Sequence, residues 1–118
     1  MKTIMLSFGL LLTAFTIEPD LLTGRWQSPV SPKGNVTTVV FKADNTFEGF
    51  VNNKPFVSGS YKLQDSVFTM QDNGCNGVVS MYKPIFFSNN DSLRFELIMD
   101  SCINRSEGVK RLVLGRVK

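Results

Sequence analysis

Turn-forming clusters of Gly, Pro, Asn, Asp and Ser recur about every 8–12 residues from residue 22 to the end of the chain, the spacing of an all-β domain. No stretch beyond residue 20 repeats its apolar residues at the helical period. Eight strands fit between the turns: Leu22–Ser28, Val36–Lys42, Thr46–Val51, Phe56–Leu63, Val67–Gln71, Gly77–Phe87, Leu93–Asp100 and Val109–Val117. In the seventh, Leu93, Phe95, Leu97 and Met99 alternate with Arg94 and Glu96. Such alternation predicts one buried and one solvated face.

The links between strands carry more information than the strands. Ala43–Asn45, Gln64–Ser66 and Ser88–Ser92 have the length of hairpin turns. Pro29–Asn35, Asn52–Pro55, Asp72–Asn76 and Ser101–Gly108 are longer on average or carry Pro and Gly. In an up-and-down meander alternate links share an end, so one end is expected to be tightly closed and the other rich in loops. Cys75 and Cys102 fall in two neighbouring links of the loop-rich end. Eight strands suffice to close a sheet on itself and remove its exposed edges. The predicted fold is therefore all-β, an eight-stranded antiparallel up-and-down barrel with one end closed.

The chain starts with Met1-Lys2-Thr3 and an apolar run from Ile4 to Phe15 broken only by Ser7, Gly9 and Thr13. A span needs roughly 20 apolar residues, so the pattern fits a secretory signal peptide. Ala14-Phe15-Thr16 supplies a small-x-small cleavage site, and no cysteine follows it to take a lipid anchor. The expected organisation is a signal peptide over 1–16 and one barrel domain over 17–118. The alternative is a buried N-terminal element of the domain. Export implies a secreted or periplasmic protein, with no stable membrane insertion after cleavage. In an oxidising compartment Cys75 and Cys102 are expected to form a disulfide, stabilising by roughly 3–4 kcal/mol; the alternative is two free buried thiols.

Composition excludes much chemistry. The chain has no histidine, so Ser-His-Asp and Cys-His sites are ruled out and the commonest ligand of zinc, copper and iron is missing. The net charge of +3 is spread along the chain, without the basic stripe of a nucleic-acid binder. Ser80-x-x-Lys83 has a catalytic spacing, but on a strand those positions face opposite ways. Glu48 and Glu96 carry no mark beyond solvent-facing alternation. No phosphate loop, Cys-x-x-Cys or calcium loop is found, so no catalytic residues, cofactor or metal site are expected. Asn35-Val36-Thr37, Asn90-Asp91-Ser92 and Asn104-Arg105-Ser106 fit the glycosylation sequon, which matters only in a eukaryotic host.

Leu22-Thr23-Gly24-Arg25-Trp26 resembles the Gly-x-Trp signature that opens the first strand of lipocalins and other calycins. Val40-Phe41-Lys42-Ala43-Asp44-Asn45-Thr46-Phe47, followed by Gly59-Ser60-Tyr61-Lys62-Leu63, is similar to a run in small secreted bacterial lipocalin-like domains. The resemblance spans most of the chain after residue 16. It implies that Trp26 sits at the closed end and that Arg116, from the last strand, packs across it as a cation–π pair. Departures are the shorter chain, the lack of a helix after the last strand and the missing Thr-Asp-Tyr-type motif, which imply limited room for a ligand.

With Trp26 inward, alternation places Leu112, Leu114, Val39, Phe41 and Val57 on inward faces. The candidate ligand-binding interior is Tyr61, Phe68, Met70, Phe95, Leu97 and Met99. An eight-stranded barrel is either filled by such side chains or has room for one small ligand. Lys33, Asn52, Asn53, Asn76, Asn104 and Arg105 are among the mouth residues suited to a polar head group or a protein partner; equally, they serve as ordinary solvated turns. The expected function is a secreted, non-catalytic binding module for a small hydrophobic or amphipathic ligand. The alternative is a protein-interaction module such as an inhibitor of an exported peptidase, acting through Ile17–Leu21 or the mouth loops.

Overall fold

The computed structural model describes residues 21–118; the expected signal peptide over 1–16 and most of the Ile17–Leu21 segment lie outside them. Eight strands form one closed antiparallel barrel in sequence order. They are β1 (Gly24–Gln27), β2 (Thr37–Phe41), β3 (Thr46–Val51), β4 (Lys54–Gln64), β5 (Val67–Asp72), β6 (Ser80–Phe87), β7 (Ser92–Met99) and β8 (Val113–Arg116). Closure comes from β1 on β8, with Trp26 opposite Arg116 and Gln27 opposite Gly115. The architecture read from turn spacing is thus the one observed.

Three local features differ from expectation. Ile103–Arg111 forms a helix, α1, so the last strand starts at Val113 and not at Val109. The β3–β4 link is a two-residue turn, Asn52-Asn53, with φ of 53° and 66°. That is the left-handed conformation a tight hairpin demands and Asn tolerates. β6 begins at Ser80, after a 3₁₀ turn over Asn73–Cys75 and an irregular stretch.

Aromatic rings fill the middle of the barrel. Phe41 meets Tyr61, Phe47 and Phe68 at centroid distances of 5.3, 6.1 and 5.8 Å, and Phe68 meets Phe95 at 5.1 Å. Tilted and edge-on pairs of this kind add about 0.5–1.5 kcal/mol each beyond their buried area. Packing at the β4–β5 crossing is close: a Cβ on Gly59 would collide with the Gln71 carbonyl oxygen and the Asp72 backbone.

At the closed end Trp26 is fully buried, and its indole N–H donates to the Leu22 carbonyl at 2.9 Å. The Arg116 guanidinium lies 4.3 Å from the Trp26 ring centroid and donates to the Leu21 and Asn90 carbonyls. Arg116 therefore plugs this end while tying the start of the barrel to the β6–β7 turn.

Candidate functional site

The other end is hollow. A cavity of about 510 Å³ lies above the aromatic layer, between the upper halves of β2–β5 and α1. Its floor and walls are apolar, with Val39, Phe41, Phe68, Met70, Phe95 and Leu114 among the lining residues. Gly49, Gly74 and Gly108 also line it, and at Gly108 a Cβ would meet nothing within 4 Å, so its absence leaves open space. Phe56 lines the cavity yet is 72% exposed, so it stands at the rim. Its position follows from a register shift: Gly49 pairs with Val57 but Phe50 pairs with Pro55, leaving Phe56 as the extra residue of a bulge. Bulges at barrel rims re-aim side chains in this way.

α1 closes part of the mouth and is fastened in two ways. Cys102, the residue before its first turn, is disulfide-bonded to Cys75 in the 3₁₀ turn, as expected from the sequence. Arg105, one turn into the helix, is the hub of an ionic cluster. Its Nε and Nη2 donate to Asp100 Oδ2 and Oδ1, both at 2.9 Å, and Nη2 also donates to the Val78 carbonyl. Its Nη1 lies 3.3 Å from Asp72 Oδ1. Asp100 further accepts from the Tyr82 hydroxyl and the Cys102 amide, while Asp72 Oδ1 accepts from the Gly74 and Cys75 amides. The side chains of Arg105, Asp72 and Asp100 are all nearly or fully buried. Burial pushes the Asp100 carboxyl up, but the bonds from Arg105, Tyr82 and the Cys102 amide outweigh it and hold the group below the usual carboxylate range. Tyr82 is pushed well above its ordinary value by burial first and by Asp100 second.

Of the residues expected in the interior, Phe68, Met70 and Phe95 line the cavity. Tyr61 is buried in the aromatic layer below it, with its hydroxyl on the Lys42 carbonyl. Leu97 and Met99 do not line the cavity; they are 41% and 51% exposed. For Met99 the cause is a second register shift: Tyr82 pairs with Leu97 but Met81 with Met99, so Ile98 is inserted and the alternation breaks there. A one-residue slip exchanges the two faces of a strand, which puts Met99 beside outward-facing Met81. Among the mouth residues Asn104 and Arg105 line the cavity. Sequence reasoning missed Asp72 and Asp100. A signal was available, because each precedes a cysteine by two or three residues, the offset at which an Asp side chain caps a turn.

Among the described residues no group of three or more metal-binding side chains converges, and no helix is long and apolar enough to cross a membrane. The fold and cavity define a small closed antiparallel barrel with a capped, hollow end. No family model matches the chain, and no curated protein matches it. Among solved structures, the NMR structure of a protein from Bacteroides uniformis is similar, at 21% identity over 86% of this chain and 94% of that one, with a TM-score of 0.58. At that identity the likeness shows the fold.

Proposed function

We propose that this chain is an exported, non-catalytic, lipocalin-like binding module that holds one small hydrophobic or amphipathic molecule in the barrel. The observation that carries this reading is the cavity of about 510 Å³ with its apolar wall, a size and character typical of small-molecule sites. The Gly-x-Trp start, the Trp26–Arg116 stack and the barrel topology support a lipocalin-like assignment. The apolar run ahead of Ala14-Phe15-Thr16 and the Cys75–Cys102 bridge support export to a secreted or periplasmic location.

Met70→Trp tests the cavity directly, because the larger ring intrudes on its wall. Binding of the uncharged fluorophore N-phenyl-1-naphthylamine is expected to be lost in Met70→Trp and retained in Met99→Trp, whose site is outside the wall. Equal binding by both variants refutes the cavity reading. A second reading rests on a different observation: Leu97, Ile98, Met99 and Ile103 form exposed apolar surface near the same end, which suits a protein partner such as an exported peptidase. Native mass spectrometry of protein from its source separates the two. An extra mass lost on organic extraction supports the ligand; a clean apo mass with a co-purifying protein supports the partner.

A further inference from the structure

The cavity wall is mainly apolar, and its charged groups are gathered at one place, which limits the head group of whatever binds. Asp72 and Arg105 are the charged residues among those lining it. The Arg105 side chain is 6% exposed, and its Nη1 makes no aligned hydrogen bond even though Asp72 Oδ1 is 3.3 Å away. Nε and Nη2 are fully engaged with Asp100 and the Val78 carbonyl. A buried N–H without an acceptor is unfavourable, so such groups in folded proteins are met by water, an ion or a ligand. Nη1 carries two N–H bonds and has one partner, the Asp72 carboxylate at 3.3 Å, so it retains a donor to offer beside an apolar chamber.

Charge decides which acceptor suits it. Asp72 and Asp100 together face the single guanidinium of Arg105, so the cluster carries a formal charge of −1. A carboxylate or phosphate head group would be a further anion against two already present, in surroundings where screening by solvent is weak. An ammonium head would find the charge it wants but would confront an N–H that also donates. Resting on the binding-cavity reading, we propose that the ligand is an amphiphile with an uncharged, hydrogen-bond-accepting head, an alcohol or an ester carbonyl, seated against Arg105 and Asp72.

A matched series tests this: 1-dodecanol, methyl dodecanoate, dodecanoate and dodecylamine, each displacing N-phenyl-1-naphthylamine from the intact protein at neutral pH. The alcohol and the ester are expected to displace the probe at concentrations about tenfold below dodecanoate, the scale of one screened like-charge contact. Asp72→Asn removes one negative charge and keeps an acceptor for the Gly74 and Cys75 amides, so dodecanoate should gain affinity relative to the alcohol and the preference between the two should shrink. Should that variant not fold, ¹⁵N NMR of the native protein reads the same contact, since the Arg105 side-chain signals should move on adding dodecanol. Dodecanoate or dodecylamine binding as tightly as the alcohol, or Arg105 signals that do not move, overturns the head-group assignment while leaving the cavity reading intact. Failure of all four compounds and of the probe to bind removes the cavity reading itself, and this inference with it.

Discussion

Asp100→Ala is expected to be the most damaging single polar substitution in the described part of the chain. The carboxylate is completely buried, and it accepts four hydrogen bonds, from the Tyr82 hydroxyl, Arg105 Nε and Nη2, and the Cys102 amide. Its removal strands a guanidinium that is only 6% exposed, held then by Asp72 at 3.3 Å and by the Val78 carbonyl. Breaking a buried ion pair from one side costs about 3–5 kcal/mol. The retained Asp72 contact places the expected loss near the lower bound, about 3 kcal/mol, a large fraction of the 5–15 kcal/mol typical of a domain. Urea unfolding at pH 7 measures it, with an unchanged m-value showing that the folded and unfolded states keep their exposed areas. Glu96→Ala is the internal comparison, because the Arg94–Glu96 pair at 3.2 Å is half-exposed and should contribute no more than about 1 kcal/mol. A loss for Asp100→Ala as small as that for Glu96→Ala would refute the argument that burial gives the cluster its energetic importance.

Other consequences follow from the same geometry. The Asp100 carboxyl is held below its usual range, so its stabilising contribution is fully present above an unfolded pKa of about 3.9 and is lost as pH falls through the folded value. An acid titration monitored by circular dichroism should therefore show a steeper loss in the native protein than in Asp100→Asn. Replacing Cys75 and Cys102 by Ser opens a loop of 27 residues' separation and should lower stability by about 3.5 kcal/mol on the chain-entropy model, read from denaturant midpoints. Trp26→Ala should cost roughly 3–5 kcal/mol, since the ring is fully buried and carries the Arg116 stack; a loss of a few tenths would contradict its role as a plug. Gly108→Ala should stabilise by about 0.5–1 kcal/mol, because residue 108 is within a helix and a Cβ there meets nothing within 4 Å; thermal melts would show it.

The parts legible in the sequence were those encoded locally. Asn45, Asp65 and Asn90 adopt the positive φ that their turns require, and such residues punctuate the chain whatever surrounds them. Trp26 and Arg116 could be paired because strand parity and the resemblance to the Gly-x-Trp start of lipocalins agreed. α1 was not legible, since its nine residues carry few apolar side chains and a central glycine. Helices of that length are marginal alone; this one is held from outside by the disulfide and Arg105. The placement of Met99 failed for a related reason. Strict alternation assumes an unbroken ladder, and the shift at Ile98 arises from pairing with β6, which a single strand's pattern does not encode.

The helix α1 and the aromatic layer together let the barrel keep a hollow end. Read as a strand, residues 109–111 would have extended the wall and narrowed the chamber; as a helix they lie over its mouth, and Val109 and Leu112 join the lining from above. The aromatic layer supplies the packed core that a domain of this size needs, so the other end can remain open without the barrel losing its centre. The cap is then fixed by one covalent and one ionic fastening, both gathered at the ends of β5 and β7 and the link into β6. On the opposite side the rim is formed by the β3–β4 hairpin, where the bulge turns Phe56 out to solvent while keeping it on the cavity wall. The same cluster that anchors the cap thereby supplies the cavity's charged groups, so a substitution in it alters the cap's anchorage and the chamber's polarity together.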